Sequence, residues 1–224
     1  MLAEKLNKLK EKIVEQGNLV ESMIEKSIRG LLTRDKALLI DVLQVDEPRA
    51  NEMEIEIDEM CVNLIARFHP EAKDLRTIIM ILKMNNDLER IGDMAVNISE
   101  SALFLIERPQ VKPLIDLPKM AEETIQMLKD SIDSFIKGDS NLAKNVCERD
   151  DIVDAYRDQI LRELITYMIS DPTTIERAIH IERISRNLER IADLATNIGE
   201  DVVYIVEGKV IKHGRYKETE QGGV

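Results

Sequence analysis

NDLERIGDMAVNISE, residues 86–100, returns one hundred residues later as RNLERIADLATNIGE, residues 186–200, with no gap and nine of fifteen positions identical. A match of that quality at so long a spacing reads as tandem duplication, so the fold of one half dictates the fold of the other. In the first copy Leu88, Ile91, Ala95, Ile98, Ala102 and Leu105 recur every three or four residues, the seam of a helix packed against other helices. The second copy keeps that seam as Leu188, Ile191, Ala195, Ile198, Val202 and Ile205.

The repeat extends outward from these helices. Pro70 and Pro172 correspond at an offset of 102 and Asp35 and Asp139 at 104, so the length differences fall in turns. Helical spacing runs over 2–32, 36–67 and 71–107, then over 118–137, 140–169 and 173–207. Asp35 is placed to cap the second helix, and Pro48 is expected to kink it without ending it. The stretch RPQVKPLIDLP, residues 108–118, carries three of the six prolines and cannot be continuous helix. The expected architecture is all-α: two tandem three-helix bundles, six long antiparallel helices in total. The first bundle takes 1–108, a proline-rich linker 109–117, the second bundle 118–208 and a flexible tail 209–224.

Composition narrows the function. The 224 residues hold 31 basic and 43 acidic side chains, a net charge of −12, divided as −5 up to Lys112 and −7 beyond it. Neither half offers the cationic footprint of a nucleic-acid binder, and aromatics, at 3%, are too few for base stacking. Cys61 and Cys147 form no CxxC pair and are expected to be free, buried thiols. No apolar run exceeds five residues, far short of a membrane span, and the N-terminus has no signal-peptide core. The chain is expected to be soluble and cytoplasmic. It has neither a phosphate-cradling glycine loop nor a dinucleotide fingerprint, and no serine or threonine sits in a nucleophile elbow. These features describe a protein that is not an enzyme.

The duplicated helix carries a second stripe, roughly opposite the seam: Glu89, Asp93, Asn97 and Glu100, repeated as Glu189, Asp193, Asn197 and Glu200. An acidic helix face is ordinarily a solvated one. Here the same residue types persist in both copies, at surface positions where duplicated sequences diverge fastest. Carboxylates one turn apart repel each other unless a cation lies between them. Glu89, Asp93, Asn97, Glu189, Asp193 and Asn197 are therefore the candidate metal ligands, with Glu100 and Glu200 weaker ones. An all-oxygen set suits magnesium, calcium, manganese or iron. His69, His180 and His213 are read as structural, and without a Glu-x-x-His pair the di-iron oxidase type of bundle is disfavoured. One helix cannot bring all four ligands to one ion, because successive turns lie ~6 Å apart. The acidic run Glu52, Glu54, Glu56, Asp58, Glu59 could contribute, though it is read as a solvated face. Arg90 and Arg190 are read as intrahelical partners of carboxylates such as Asp87 or Asp93.

These residues carry a family resemblance. Leu88-Glu89-Arg90-Ile91-Gly92-Asp93 and its copy Asn187-Leu188-Glu189-Arg190-Ile191-Ala192-Asp193 resemble the repeated motif of the PhoU family. Asp74-Leu75-Arg76, Asp58-Glu59 with Cys61, Ile65-Ala66 and the Pro70 turn fit the same pattern, over roughly 2–208. The second copy departs from it in reading Thr174-Ile175-Glu176 where the first has Asp74-Leu75-Arg76. The resemblance implies a dimer of paired three-helix bundles acting in the cytoplasm as a negative regulator of the phosphate-starvation response. The implied partners are the ATPase subunit of the phosphate ABC transporter and a membrane sensor histidine kinase. It further implies multinuclear iron or other metal clusters on the E-x-x-x-D motifs, here Glu89 with Asp93 and Glu189 with Asp193. A carboxylate-only iron store or metalloenzyme and a metal-free helical scaffold are the alternatives.

Overall fold

The computed structural model describes residues 2–211, almost entirely as helix. The first repeat consists of α1 (Leu2–Thr33), α2a (Lys36–Asp41), α2b (Glu47–Phe68) and α3 (Ala72–Ile106). The second consists of α4 (Asp116–Lys137), α5a (Ser140–Glu148), α5b (Asp150–Ser170) and α6 (Ile175–Glu207). Lys209, Val210 and Ile211 carry no regular structure, and the rest of the expected tail, with His213, lies outside the described residues.

The turns form for the reasons the sequence gives. The Asp35 carboxylate accepts from the amides of Ala37 and Leu38, and Asp139 accepts from those of Asn141 and Leu142, one cap at the head of each second helix. Just before each cap the backbone turns left-handed, at Gly138 (φ 63°) in the second repeat and at Arg34 (φ 57°) in the first. Glycine meets that need without a Cβ penalty. Arg34 instead ties its guanidinium to the carbonyls of Ile106 (3.0 and 2.6 Å) and Arg108 (2.6 Å), closing the far end of α3.

Pro48 interrupts the α-helical pattern without ending the helix. Between α2a and α2b, residues Val42–Asp46 form a π-helical turn, in which the Glu47 amide reaches the Val42 carbonyl. The wider turn leaves Pro48 in the first turn of α2b, where a missing N–H costs nothing. Lys26 bridges Asp41 (2.5 Å) and Asp46 (2.7 Å) across this bend. The corresponding break in the second repeat falls at Arg149 and needs no proline. Helix α4 begins at Asp116, two residues before the expected 118, because Pro118 fits within a first turn whose amides have no intrahelical acceptor.

Packing follows the duplicated seam. Leu88, Ile91, Ala95, Ile98 and Ala102, with Leu188, Ile191, Ala195, Ile198 and Val202, are all buried in one continuous aliphatic core. Helix α3 packs most extensively on α1 and on α6, and α1 also meets α4. These four helices form the interior, with α2 and α5 on opposite flanks and out of contact with each other. Small residues set the close approaches. Ser27 on α1 shares a hydrogen bond with Ser99 on α3 (2.7 Å) and donates to the Ala95 carbonyl or the Met23 carbonyl. The counterpart of Ser99 in the second repeat is Gly199. A Cβ there would stand 2.9 Å from the carbonyl oxygen of Ala143, so α5a lies closer to its long helix than a side chain permits. Gly199→Ser, which imports the first repeat's residue, is expected to destabilise the protein by about 1–3 kcal/mol. Thermal unfolding measures it, and an unchanged melting temperature would contradict this close approach.

Candidate metal centres in two acidic grooves

Each repeat brings four carboxylates together between its second and third helices. In the first, Glu54 and Asp58 on α2b face Glu89 and Asp93 on α3. Asn85, buried on α3, aligns the two helices at this point by donating to the Glu54 carbonyl (2.9 Å) and the Asp58 carboxylate (2.7 Å). Burial pushes the Glu54 carboxyl above its ordinary range, and the charges of Asp58 and Asp93 push it further. Glu89 is raised likewise, by burial and then by Asp93 and Glu54, against a smaller opposing effect of Arg90.

The second groove repeats the arrangement with Asp150 and Asp154 on α5b and Glu189 and Asp193 on α6. Asp150 is pushed up to about 6, first by burial and then by Asp193, Asp154, Asp151 and Glu189. Asp193 is raised by burial and Asp154, with Arg190 opposing. Glu189 is raised by burial, and here Arg157 is the main opposing charge. The matching position in the first groove, three residues after Asp58 as Arg157 is three after Asp154, is Cys61, in the core. The second groove thus holds a fixed cation of its own, and the first does not.

Four like charges gathered this way favour a cation, and the raised carboxyls of Glu54 and Glu89 in one groove and of Asp150, Glu189 and Asp193 in the other register their repulsion. The donors are all oxygen, which suits a hard divalent ion and not a thiolate- or imidazole-seeking one. As the side chains lie, no three Asp, Glu, His or Cys residues among those described converge on a single ion-sized point. Glutamate and aspartate rotamers would have to turn inward on binding, with water completing the shell. A pH effect follows for the metal-free protein. A carboxyl whose folded pKa is raised destabilises the fold when ionised, and the penalty is relieved as pH falls through that pKa toward the unfolded value near ~4. Melting temperature is therefore expected to rise between pH 7.5 and pH 5, and Asp150→Asn to remove much of the rise. A flat or falling profile would contradict the clustering.

The structure sorts the expected residues. Glu89, Asp93, Glu189 and Asp193 all join the clusters. Asn97 is half-buried one turn beyond, and Glu100 is exposed. Asn197 lines an open cleft of about 520 Å³ between the repeats, together with Arg90, Met94, Arg190, Asp193, Leu194 and Thr196. The charge of Arg90 acts on Glu89, and that of Arg190 on Glu189 and Asp193. The charge of Glu200 acts on Cys147, as does that of Asp150. The run 52–59 is not one solvated face: Glu56 pairs with Lys12 (2.8 Å), Glu52 and Glu59 are exposed, and Glu54 and Asp58 turn toward α3. Asp150 and Asp154 are functional candidates that the sequence reading did not single out. A signal was present, since Asp150 and Asp154 stand four residues apart as Glu54 and Asp58 do, the same spacing as Glu89 with Asp93 and Glu189 with Asp193. Cys61 and Cys147 are free thiols, each pushed up to about 12 chiefly by burial, so neither is a thiolate near neutral pH. Among the described residues no helix is long and apolar enough to cross a membrane.

Tandem three-helix bundles, each with an acidic groove between its second and third helices, define a duplicated helical-bundle protein whose polar chemistry lies in paired carboxylates. The chain belongs to the PhoU family: the PhoU domain matches residues 13–102 and again 117–202. It is 41% identical over 217 residues to the phosphate-specific transport system accessory protein PhoU homolog of Aquifex aeolicus, covering 97% of this chain and 98% of that protein. The Escherichia coli K12 phosphate-specific transport system accessory protein PhoU is 35% identical over 208 residues, covering 93% and 86%. The crystal structure of PhoU from Pseudomonas aeruginosa superposes with a TM-score of 0.90 at 36% identity, over 93% of this chain and all of that one. The phosphate transport system regulatory protein PhoU of Streptococcus pneumoniae gives 0.86 at 25%, over 95% and 100%.

Proposed function

We propose that the protein is a non-enzymatic regulator of phosphate transport, which holds the phosphate-starvation response down while phosphate is plentiful. The observation that carries this reading is similarity along nearly the whole chain to proteins named as phosphate transport accessory and regulatory proteins. In this reading it works in the cytoplasm as a homodimer, contacting the ATPase subunit of the phosphate ABC transporter and a membrane sensor histidine kinase. The acidic grooves hold hard cations, with multinuclear iron one form they could take. Glu54, Asp58, Glu89 and Asp93 would serve the first groove, and Asp150, Asp154, Glu189 and Asp193 the second. A bound cation supplies positive charge between two helices of like charge. The protein's own part is to hold those helices at a fixed spacing, through Asn85 in the first groove.

Deleting the gene tests the regulatory role. Phosphate transporter and alkaline phosphatase expression is expected to become constitutive in phosphate-rich medium, and an unchanged response would overturn the proposal. Complementation with a Glu89→Ala, Asp93→Ala, Glu189→Ala, Asp193→Ala variant then asks whether regulation needs the grooves.

A further inference from the structure

Three cations gather where the N-terminus of α1 meets the C-terminus of α2b. Lys5 and Lys8 on α1 and Arg67 on α2b surround a cleft of about 250 Å³, whose floor is Met60, Leu64 and Phe68, with Asn63 at its side. Leu64 is buried, Met60 half-buried and Phe68 open to solvent. All three cations are exposed, and none makes an ion pair or side-chain hydrogen bond among the described residues. In a chain of net charge −12, three cations gathered around one apolar floor form a local positive rim. The volume is below that of a typical small-molecule site and suits an inserted apolar side chain. The lysine stems can line the floor while their ammonium groups stay at the rim.

We infer that this cleft is a docking site for an acidic amphipathic helix of a partner protein. One apolar anchor of that helix seats on Met60, Leu64 and Phe68, and its carboxylates meet Lys5, Lys8 and Arg67. Anchors in desolvated pockets supply binding energy, and the charged rim selects the partner and speeds its arrival. The site lies at the end of the first bundle opposite the linker, and the inference holds whether or not the grooves carry metal.

The test uses the full-length protein and a fluorescein-labelled 16-residue synthetic peptide, leucine at helical three- and four-residue spacing and glutamate elsewhere. Fluorescence anisotropy is expected to show saturable binding in dilute salt, weakening at least tenfold in the Lys5→Glu, Lys8→Glu, Arg67→Glu variant. Phe68→Ser is expected to weaken it severalfold with all charges intact. Lys119→Glu, Arg162→Glu, Arg186→Glu, the same charge change at other exposed positions, is expected to bind as wild type once circular dichroism confirms equal helicity. Equal weakening by both triple variants would reduce the effect to net charge and overturn the site. So would binding to phosphatidylglycerol vesicles but not to the peptide, which would indicate a lipid surface. Concentration-dependent self-association lost in the Lys5, Lys8, Arg67 variant, with no peptide binding, would make a second copy the occupant and equally overturn it.

Discussion

Adding manganese to the metal-free protein is expected to raise its melting temperature by about 5–10 °C, and to leave the Glu89→Ala, Asp93→Ala, Glu189→Ala, Asp193→Ala variant unmoved. A ligand at a hundredfold excess over its dissociation constant stabilises the folded state by about 2.7 kcal/mol, and each kcal/mol moves a protein of this size by about 2–4 °C. The metal-free variant has a second signature. It lacks Glu89, Glu189 and Asp193, whose ionised forms burial and like charge penalise, so it is expected to melt above the metal-free wild type at neutral pH. Lost ligands that stabilise the apo fold are the mark of a site built for an absent charge. A variant that still responds to manganese, or melts well below the apo wild type, would contradict that.

The second large effect concerns how the repeats hold together. Asp201 on α6 is 3% exposed and pairs with Lys83 on α3, which is 41% exposed, across the contact between the two long helices. Neither half repeats this pair: the residues one hundred positions away are Ser101 and Arg183. Lys83→Met removes a cation paired with a buried carboxylate, a change that costs about 3–5 kcal/mol in fully buried pairs. The half-exposed lysine lowers the expectation to about 2 kcal/mol, a fall of some 4–8 °C. Lys83→Met with Asp201→Leu is expected to recover most of it, because no charge is then left buried. Failure of the double variant to recover would show that the loss lies in packing.

Local sequence was enough for the helices and their order because each signal is local. The seams at 88–105 and 188–205, the caps at Asp35 and Asp139 and the break at Pro48 all depend on neighbours within a few residues. The acidic grooves are only half local. Glu89 with Asp93 and Glu189 with Asp193 are visible as one helical face, whereas their companions come from a helix whose rotation the sequence leaves open. Glu52, Glu54, Glu56, Asp58 and Glu59 look alike as a charged run. Only the burial of Met53, Ile57 and Cys61 decides that Glu54 and Asp58 face α3. Asp150 and Asp154 were hidden for a different reason: they follow their counterparts Glu54 and Asp58 by 96 residues, not by the hundred that separates the duplicated motifs, so that offset did not mark them. The cation-ringed cleft joins the first turns of α1 to the last turns of α2b, some sixty residues apart in sequence, and no motif announces it.

The central claim, that the duplicated carboxylates hold cations, is tested most directly by elemental analysis of the purified protein beside the four-alanine variant. The account predicts iron, manganese or another hard metal bound near stoichiometry in the wild type, and none in a variant of equal helicity. Metal absent from both, or retained by the variant, would contradict it.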